Sequence, residues 1–178
     1  MGKEAVETRL AREGDLPALW SLYGEAVRLM EGTAEDVGWK MGTHPSRGDL
    51  SDALREGGLL VATRGEGLVG SLVVGEATAE GYGRMPWKVE VPLSGASVVH
   101  LLVVSPRARG EGVARVLLDA AAALARSRGK RALRLDVFPN ALHAAAVYRA
   151  CGFADLGVHE IRYPDCDNTS FRLMERAL

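Results

Sequence analysis

Residues Val98–Leu118 read VVHLLVVSPRARGEGVARVLL. The apolar first part is typical of a buried β-strand, and the last part predicts a helix that begins at about Gly112. Between them, Arg107–Gly112 follow the pattern R-x-x-G-x-G. The first turn of a helix has backbone N–H groups without intrahelical acceptors, and glycines let a ligand approach the backbone closely. Because two arginines add positive charge there, the stretch predicts a binding site for a phosphorylated ligand.

Two common phosphate-binding motifs do not fit the chain. A P-loop requires Gly-Lys followed by Ser or Thr, and neither Gly-Lys pair, at residues 2–3 and 129–130, is followed by either residue. The dinucleotide fingerprint requires a third glycine, whereas Gly112 is followed by Val113, Ala114 and Arg115. The sequence therefore disfavours a nucleotide- or dinucleotide-binding domain.

The turn instead resembles the pyrophosphate-binding turn of the GNAT acyl-CoA N-acyltransferases, which reads Q/R-x-x-G-x-G/A after a strand. A second stretch, Leu133–Phe153, carries the same resemblance. It contains a predicted strand, Asn140, a short helix with Tyr148, and Gly152-Phe153, in the order common in that family. The segment from Trp39 to His44-Pro45 and the Val-His-Leu around His100 also resemble a subset of bacterial members.

The resemblance implies a mixed α/β fold of the GNAT type. Its central sheet would be splayed where the strand of His100 and the strand Leu133–Val137 part, with helices on both faces. We expect one domain over residues 1–178, because repeats, linkers and low-complexity tracts are absent from the sequence.

Periodicity and turn residues predict alternating strands and helices. The remaining strands are expected at Ala5–Leu10, Leu59–Thr63, Leu68–Glu76, Ala154–Arg162 and Thr169–Met174, the last two joined by a turn at Pro164–Asn168. Helices are expected after a capping Asp15, at Ser46–Glu56, at Gly112–Arg128 and at Asn140–Ala150. The segment Ala77–Gly95 is expected to be a long connection or two ragged strands.

The function implied by the resemblance is transfer of an acetyl group from acetyl-CoA to a primary amine, by direct attack in a ternary complex. The pyrophosphate would lie on the backbone of Arg109–Ala114, and the amide of Val103 or Val104 would polarise the thioester. Tyr148 would protonate the departing thiolate. The residues expected to contact the cofactor are Leu102, Val103, Val104, Arg107, Arg109, Gly110, Glu111, Gly112, Val113, Ala114, Asn140 and Tyr148.

His100 interrupts an otherwise apolar strand, at a place where many GNAT enzymes have a carboxylate that acts as the base. A histidine can do this work near neutral pH, since its usual pKa is about 6.5. The alternative is a buried histidine that is hydrogen-bonded to neighbouring backbone. The sequence leaves both interpretations open.

Several other residues also have two interpretations. Asn140 either caps the following helix, contacts the CoA arm, or does both. Asp136 either forms a salt bridge or recognises the substrate amine, and Tyr148 is either a proton donor or a core residue. Four further residues either wall an acceptor pocket or only pack in the core: Trp39, His44, Tyr82 and Trp87.

Composition limits the remaining choices. A net charge of −1 and a pI near 6.4 argue against nucleic acid or acidic membranes as partners. No apolar run approaches the roughly 20 residues that span a bilayer, and MGKEAVETRL does not resemble a signal peptide. Cys151 and Cys166 are consistent with reduced thiols in the cytoplasm. A metal site is not expected, a homodimer stays open, and the alternative function is a non-catalytic acyl-CoA-binding or sensor domain.

Overall fold

The computed structural model describes residues 4–34, 36–164 and 166–178, and these ranges contain seven strands and four helices. The strands are β1 (Glu7–Leu10), β2 (Leu59–Arg64), β3 (Gly67–Gly75), β4 (Ala96–Val104), β5 (Ala132–Val137), β6 (Ala154–Glu160) and β7 (Ser170–Ala177). The helices are α1 (Leu16–Met30), α2 (Arg47–Arg55), α3 (Val113–Ser127) and α4 (Leu142–Ala150). Each predicted strand and helix is present, with ends that differ by a few residues. The turn expected before β7 includes Asp165, which lies outside the described residues.

The two helices α1 and α2 begin differently. Ser46 caps α2, because its hydroxyl accepts from the N–H of Asp49 at 3.0 Å while Asp49 accepts from the N–H of Ser46 at 2.8 Å. Asp15 precedes α1 but, contrary to the prediction, its side chain does not cap that helix. Its carboxylate is instead bound by the guanidinium of Arg9 at 2.6 and 2.9 Å and by the N–H of Arg12 at 2.7 Å.

The strands form one mixed sheet in the order β1-β2-β3-β4-β5-β7-β6, in which only β4 and β5, both fully described, are parallel neighbours. These two strands pair at Ala96↔Ala132, Ser97↔Leu133 and Val98↔Arg134, and then separate. The sheet opens there into what we call the fork, whose prongs are residues 99–104 of β4 and 135–137 of β5. This opening confirms the predicted splay.

Helices cover both faces of the sheet, as predicted. One face carries α3 and α4, which pack with side chains such as Val99 and Leu133, and the other carries α1 and α2, which pack with Leu101 and Val103. A Cβ atom on Gly70 of β3 would lie 2.9 Å from Cγ1 of Val113, at the start of α3. Glycine therefore allows α3 to begin directly against the sheet.

A bulge interrupts β4 beside β3. Val73 pairs with His100 and Ser71 pairs with Val103, so β4 has one more residue than β3 between these pairs. Leu101 has a φ of 53°, which is unusual for a residue with a side chain. As a result His100 and Leu101 point to the same face of the sheet, instead of alternating. The bulge therefore changes which side chains of β4 face α1.

The segment between β3 and β4, residues 76–95, is an irregular connection with two short 3-10 turns, at Tyr82–Arg84 and Leu93–Gly95. It contacts a buried ion pair that joins Arg134 of β5 to Glu175 of β7 at 3.0 Å, and Arg134 also donates to the carbonyl of Val89 at 2.9 Å. A carboxylate oxygen of Glu175 accepts from the N–H groups of Lys88 and Val89. Among the described residues, no helix is both long and apolar enough to cross a membrane.

Candidate active site

The R-x-x-G-x-G turn lies at the end of the β4 prong of the fork. Strand β4 ends at Val104, a 3-10 turn follows at Pro106–Ala108, and α3 begins at Val113. Gly110 and Gly112 have φ values of 76° and 79°, and a Cβ at either position would meet no atom within 4 Å. Both positions therefore favour glycine because of their positive φ, and not because a Cβ atom would clash with a neighbour. Helix α3 begins without a side-chain cap, so the N–H groups of its first turn are available to an anion.

The charged residues of this turn play different parts. Arg107 and Arg109 are exposed, and within the described ranges neither forms an ion pair. Glu111 faces back toward β2, where it forms an ion pair with Arg64 at 2.5 Å. That pair neutralises the acidic residue of the turn and ties the turn to the sheet. The contribution of Arg64 could not be predicted, because it lies 47 residues before Glu111 in the sequence.

The backbone of the β4 prong has one edge toward β3 and one toward the fork. The N–H of Ser105 donates to the carbonyl of Val69 at 2.8 Å, so it points toward β3. Because successive N–H groups of a strand point to opposite edges, the N–H groups of Leu102 and Val104 point toward the fork. Of the two amides considered from the sequence, Val104 therefore has the suitable direction and Val103 does not.

Helix α1 stabilises the bulge of β4. Tyr23 is fully buried, and its hydroxyl donates to the carbonyl of Leu101 at 2.7 Å. This hydrogen bond stabilises the positive φ of Leu101 in an otherwise apolar region. Nothing in the local sequence of Tyr23 indicates this contact, which joins residues 78 positions apart.

His100 lies at the base of the β4 prong, partly exposed. Its Nε2 is 3.2 Å from the carbonyl oxygen of Glu76, which accepts a hydrogen bond when Nε2 carries the proton. In that tautomer Nδ1 keeps a lone pair that can accept a proton. Burial lowers the pKa of His100, the Glu76 carbonyl partly opposes this, and His44 lowers it slightly further. The histidine is therefore neutral at pH 7. Its Nε2 makes the backbone hydrogen bond expected for a structural histidine, while its Nδ1 is able to act as a base, so the two interpretations of His100 are compatible.

Tyr148 lies on α4, on the face of the sheet that also carries α3. It is buried, and its ring packs against that of Phe153 at 5.8 Å between centroids. Burial raises its pKa, and the charges of Asp136 and Cys151 raise it further. The phenol is therefore protonated at any physiological pH, as a proton donor must be. Tyr148 is therefore a core residue, and its protonated hydroxyl is also compatible with the role of an acid.

Asn140 does not cap α4, contrary to one of its two interpretations. The residue before the helix is Ala141, and no side chain caps it. The side-chain amide of Asn140 instead donates to the carbonyls of Ala34 at 2.9 Å and Asp36 at 3.2 Å. It therefore connects the end of the β5 prong to the loop between α1 and α2.

The aromatic residues expected around an acceptor pocket fall into two groups. Trp39 contacts His44 and Tyr23, near α1. Trp87 contacts Tyr82 at 4.9 Å between ring centroids and lies 4.5 Å from the guanidinium of Arg134, near β5. The four residues therefore do not form one wall.

Besides His100 and Tyr148, a polar group lies on the β5 prong. The sequence identified its aspartate, Asp136, as a candidate but not its partner Tyr163. Tyr163 donates to the carboxylate of Asp136 at 2.8 Å. Burial raises the pKa of Asp136 to about 6, although the hydrogen bond from Tyr163 and the nearby Tyr82 hydroxyl lower it. The expected salt bridge is absent, since no arginine, lysine or histidine of the described ranges pairs with Asp136. No local signal marks Tyr163, which lies 27 residues beyond Asp136 in the chain.

Comparison with known proteins agrees with this geometry. A sequence model of the Acetyltransferase (GNAT) family matches residues 25–153, which is more than half of the chain. The protein therefore belongs to the GNAT family, and acetyl transfer is supported as its general activity. No curated protein sequence matches the chain.

Solved structures share the fold along nearly the whole chain. An acetyltransferase of the GNAT family from Streptococcus agalactiae has a TM-score of 0.79 at 17% identity, covering 99% of this chain and 98% of that one. A ribosomal-protein-alanine N-acetyltransferase from Brucella melitensis has a TM-score of 0.69 at 24% identity, with coverages of 97% and 99%. The yncA protein of Salmonella typhimurium, solved with its cofactor acetyl-CoA, has a TM-score of 0.68 at 17% identity, with coverages of 98% and 95%.

Proposed function

We propose that this protein transfers an acetyl group from acetyl-CoA to a primary amine, which attacks the thioester directly in a ternary complex. The observation that carries this proposal is the position of the R-x-x-G-x-G turn at the end of the β4 prong. A cofactor held by its pyrophosphate at that turn can extend its pantetheine arm into the fork. The opening between β4 and β5 supplies the place where the amine meets the thioester.

The donor is held by backbone and charge together. The N–H groups of Arg109–Ala114 bind the pyrophosphate at the start of α3, and the guanidinium groups of Arg107 and Arg109 pair with its oxygens. Leu102 and Val103 line the arm, while the N–H of Val104 donates to the thioester oxygen. That oxygen becomes negatively charged during attack, so a fixed N–H donor stabilises the transition state more than the substrate.

Proton transfer involves both sides of the fork. An amine with a pKa of about 10 is protonated at pH 7, and its deprotonation costs about 4 kcal/mol. We assign the proton acceptor as Nδ1 of His100, since this histidine is neutral at pH 7. The amine then forms the C–N bond, the C–S bond breaks, and Tyr148 donates its proton to the CoA thiolate. The amide nitrogen loses its second proton as the phenol is restored, so one proton is released in total.

Asn140 is assigned a supporting part. Its amide nitrogen is used by the carbonyls of Ala34 and Asp36, which leaves its side-chain oxygen to accept from an amide of the pantetheine arm. A single residue would thus join the cofactor to the loop between α1 and α2.

The proposal is tested by incubating the protein with acetyl-CoA and a panel of primary amines, including amino acids, polyamines and peptides. We expect release of free CoA thiol that depends on the amine, with an acetylated product detected by mass spectrometry. Melting temperature should rise with acetyl-CoA but not with NAD or ATP. Tight acetyl-CoA binding without turnover of any amine would favour the non-catalytic sensor domain, and absence of acetyl-CoA binding would contradict both functions.

A further inference from the structure

The β5 prong carries a polar group that the proposed acetyl transfer has not used. We call it the Asp136 cluster, and it consists of Asp136, Tyr82 and Tyr163. The hydroxyl of Tyr163 donates to Asp136 at 2.8 Å. Tyr82 is 1% exposed, and its hydroxyl oxygen finds no hydrogen-bond partner within the described part of the chain, although Asp136 is close enough to affect its pKa. A buried hydroxyl without a partner costs free energy, so its presence beside an unpaired carboxylate indicates a place for a ligand.

The register of the sheet relates this cluster to the fork. Val98 and Arg134 form the last parallel pair, so two further residues along each strand lead to His100 and Asp136. These two residues occupy matching positions on the two prongs, on the same face of the sheet, because the bulge of β4 begins only after His100. Asp136 therefore lies at the fork, on the prong opposite the proposed proton acceptor.

A cavity lies beside the cluster. It has a volume of about 340 Å³ and is lined by Tyr163 together with Thr78, Glu80, Arg162 and Pro164. One wall is held by an isolated pair of backbone contacts between Glu80 and Arg162, at 2.8 and 3.3 Å. Tyr163 lines this cavity and also donates to Asp136, so the cavity and the cluster share one side chain.

We propose that the Asp136 cluster is the acceptor site, where the substrate amine binds as an ammonium ion. This inference rests on the proposed acetyl transfer. The carboxylate supplies the opposite charge and accepts one N–H group, a tyrosine hydroxyl of the cluster accepts a second, and the third is left for Nδ1 of His100, the proposed proton acceptor. The nitrogen becomes positively charged again as it attacks the thioester, and the same carboxylate then stabilises the transition state. The acceptors are therefore aliphatic amines, which are charged at neutral pH, rather than aromatic amines, which are not.

The charge of the cluster depends on pH. With a pKa of about 6, Asp136 is ionised at pH 7.5 and mostly neutral at pH 5. The titratable and charged groups around it are Tyr82 from the β3–β4 connection, Tyr163 after β6, Tyr148 from α4, His100 across the fork, and Arg134 on β5, which is paired with Glu175. Burial raises the pKa of the three tyrosines, so they keep their protons between pH 5 and 8. Burial lowers the pKa of His100, so this histidine is neutral at pH 7.5, where Asp136 is ionised. Acceptor binding should therefore weaken below about pH 6, while acetyl-CoA binding should not.

The kinetic test compares Asp136→Asn with Asp119→Asn, the same change at an exposed position of α3. With an aliphatic amine as acceptor, Asp136→Asn should raise the acceptor KM at least about tenfold and leave the KM for acetyl-CoA within about twofold, as expected for loss of a charged hydrogen bond. It should also abolish the rise of the acceptor KM below about pH 6, whereas the decrease of kcat caused by protonation of His100 should remain. Tyr163→Phe should move the rise of the acceptor KM to higher pH, because it removes a hydrogen bond that stabilises the charged carboxylate. An unchanged acceptor KM, or an acceptor KM that still rises below about pH 6 in Asp136→Asn, would overturn the proposal.

A binding test does not depend on turnover. Butylammonium and, as its uncharged counterpart, 1-butanol are titrated into the CoA-saturated protein at pH 7.5 and followed by NMR. Butylammonium should bind the natural protein and Asp119→Asn, and bind Asp136→Asn at least about tenfold more weakly. Equal binding to all three proteins would overturn the acceptor site. Normal binding without acetylation of any amine would contradict the proposed function and leave the ammonium site standing.

Discussion

Val98 and Arg134 form the last pair of the parallel ladder between β4 and β5. Beyond them the two strands separate. Two titratable side chains lie on the separated parts, His100 on one prong and Asp136 on the other. Arg134 is itself buried in an ion pair with Glu175 at 3.0 Å. The point where the ladder ends is thus held by charge as well as by packing, and it determines where the sheet opens.

Substitution of the turn glycines should weaken cofactor binding. In Gly110→Val or Gly112→Val, the β-branched side chain strains a positive φ and crowds the N–H groups at the start of α3. We expect acetyl-CoA to bind more than tenfold more weakly by calorimetry, which corresponds to about 1.4 kcal/mol. Gly129→Val is a matched control, since Gly129 has a φ of 73° and open space at the other end of α3. Equal loss of affinity in the control would show that general destabilisation is the cause.

Replacement of His100 should change the pH dependence of the rate. If Nδ1 accepts the proton of the amine, His100→Ala lowers kcat mainly near neutral pH and less at high pH, where the amine is already deprotonated. Because the pKa of His100 is lowered, its own protonation limits the rate only below about pH 6.5. His159→Ala serves as control, because His159 also contacts a backbone carbonyl, that of Leu156, at 2.8 Å. A flat loss at every pH would identify His100 as structural.

Removal of the Tyr148 hydroxyl should slow the reaction without loss of binding. Tyr148→Phe keeps the ring that packs against Phe153 and removes the hydroxyl that we propose as the proton donor. General acid catalysis contributes about 10²–10⁴-fold, so the turnover rate at saturating substrates should fall by a factor in that range. Acetyl-CoA affinity, measured by calorimetry, should be unchanged. Turnover at the natural rate would show that Tyr148 only packs in the core.

Removal of the Tyr23 hydroxyl should destabilise the bulge of β4. The carbonyl of Leu101 accepts this hydroxyl at 2.7 Å in a fully buried setting. Tyr23→Phe leaves the carbonyl without that donor, and we expect the free energy of unfolding in urea to fall by about 1–3 kcal/mol. Ser21→Ala, an exposed change on the same helix, should cost much less. Equal stability of Tyr23→Phe and the natural protein would contradict a role for this bond in holding the bulge.

The carboxyl group of Asp136 should make stability depend on pH. Its pKa is about 6 in the folded protein, above the ordinary value of 3.8, so the folded state binds the proton more tightly than the unfolded state. The resulting stabilisation is present below about pH 4 and is lost as the pH rises through 6. The difference is at most about 3 kcal/mol at 1.36 kcal/mol per pKa unit. Asp136→Asn should therefore be more stable than the natural protein at pH 8 but not at pH 4, as measured by urea unfolding.

Local sequence predicted most of the elements. The apolar run of β4, the glycines before α3 and the capping box of α2 each act within a few residues, so they can be recognised without the rest of the chain. The bounds of α4 were less predictable, because Asn140 satisfies its amide on the distant loop at Ala34 and Asp36 rather than at the helix start. Asp15 failed as a cap for a similar reason, since Arg9 binds its carboxylate.

The sequence by itself determined the R-x-x-G-x-G turn, the order of strands and helices, and the family to which they belong, because these depend on short-range spacing of glycine, arginine and apolar residues. Only the tertiary structure decided what surrounds the fork. The contacts of Tyr23 with Leu101, of Arg64 with Glu111 and of Tyr163 with Asp136 join residues 27 to 78 positions apart. Such contacts form only when the sheet brings distant segments together, and burial there shifts the pKa of groups that look ordinary in the sequence.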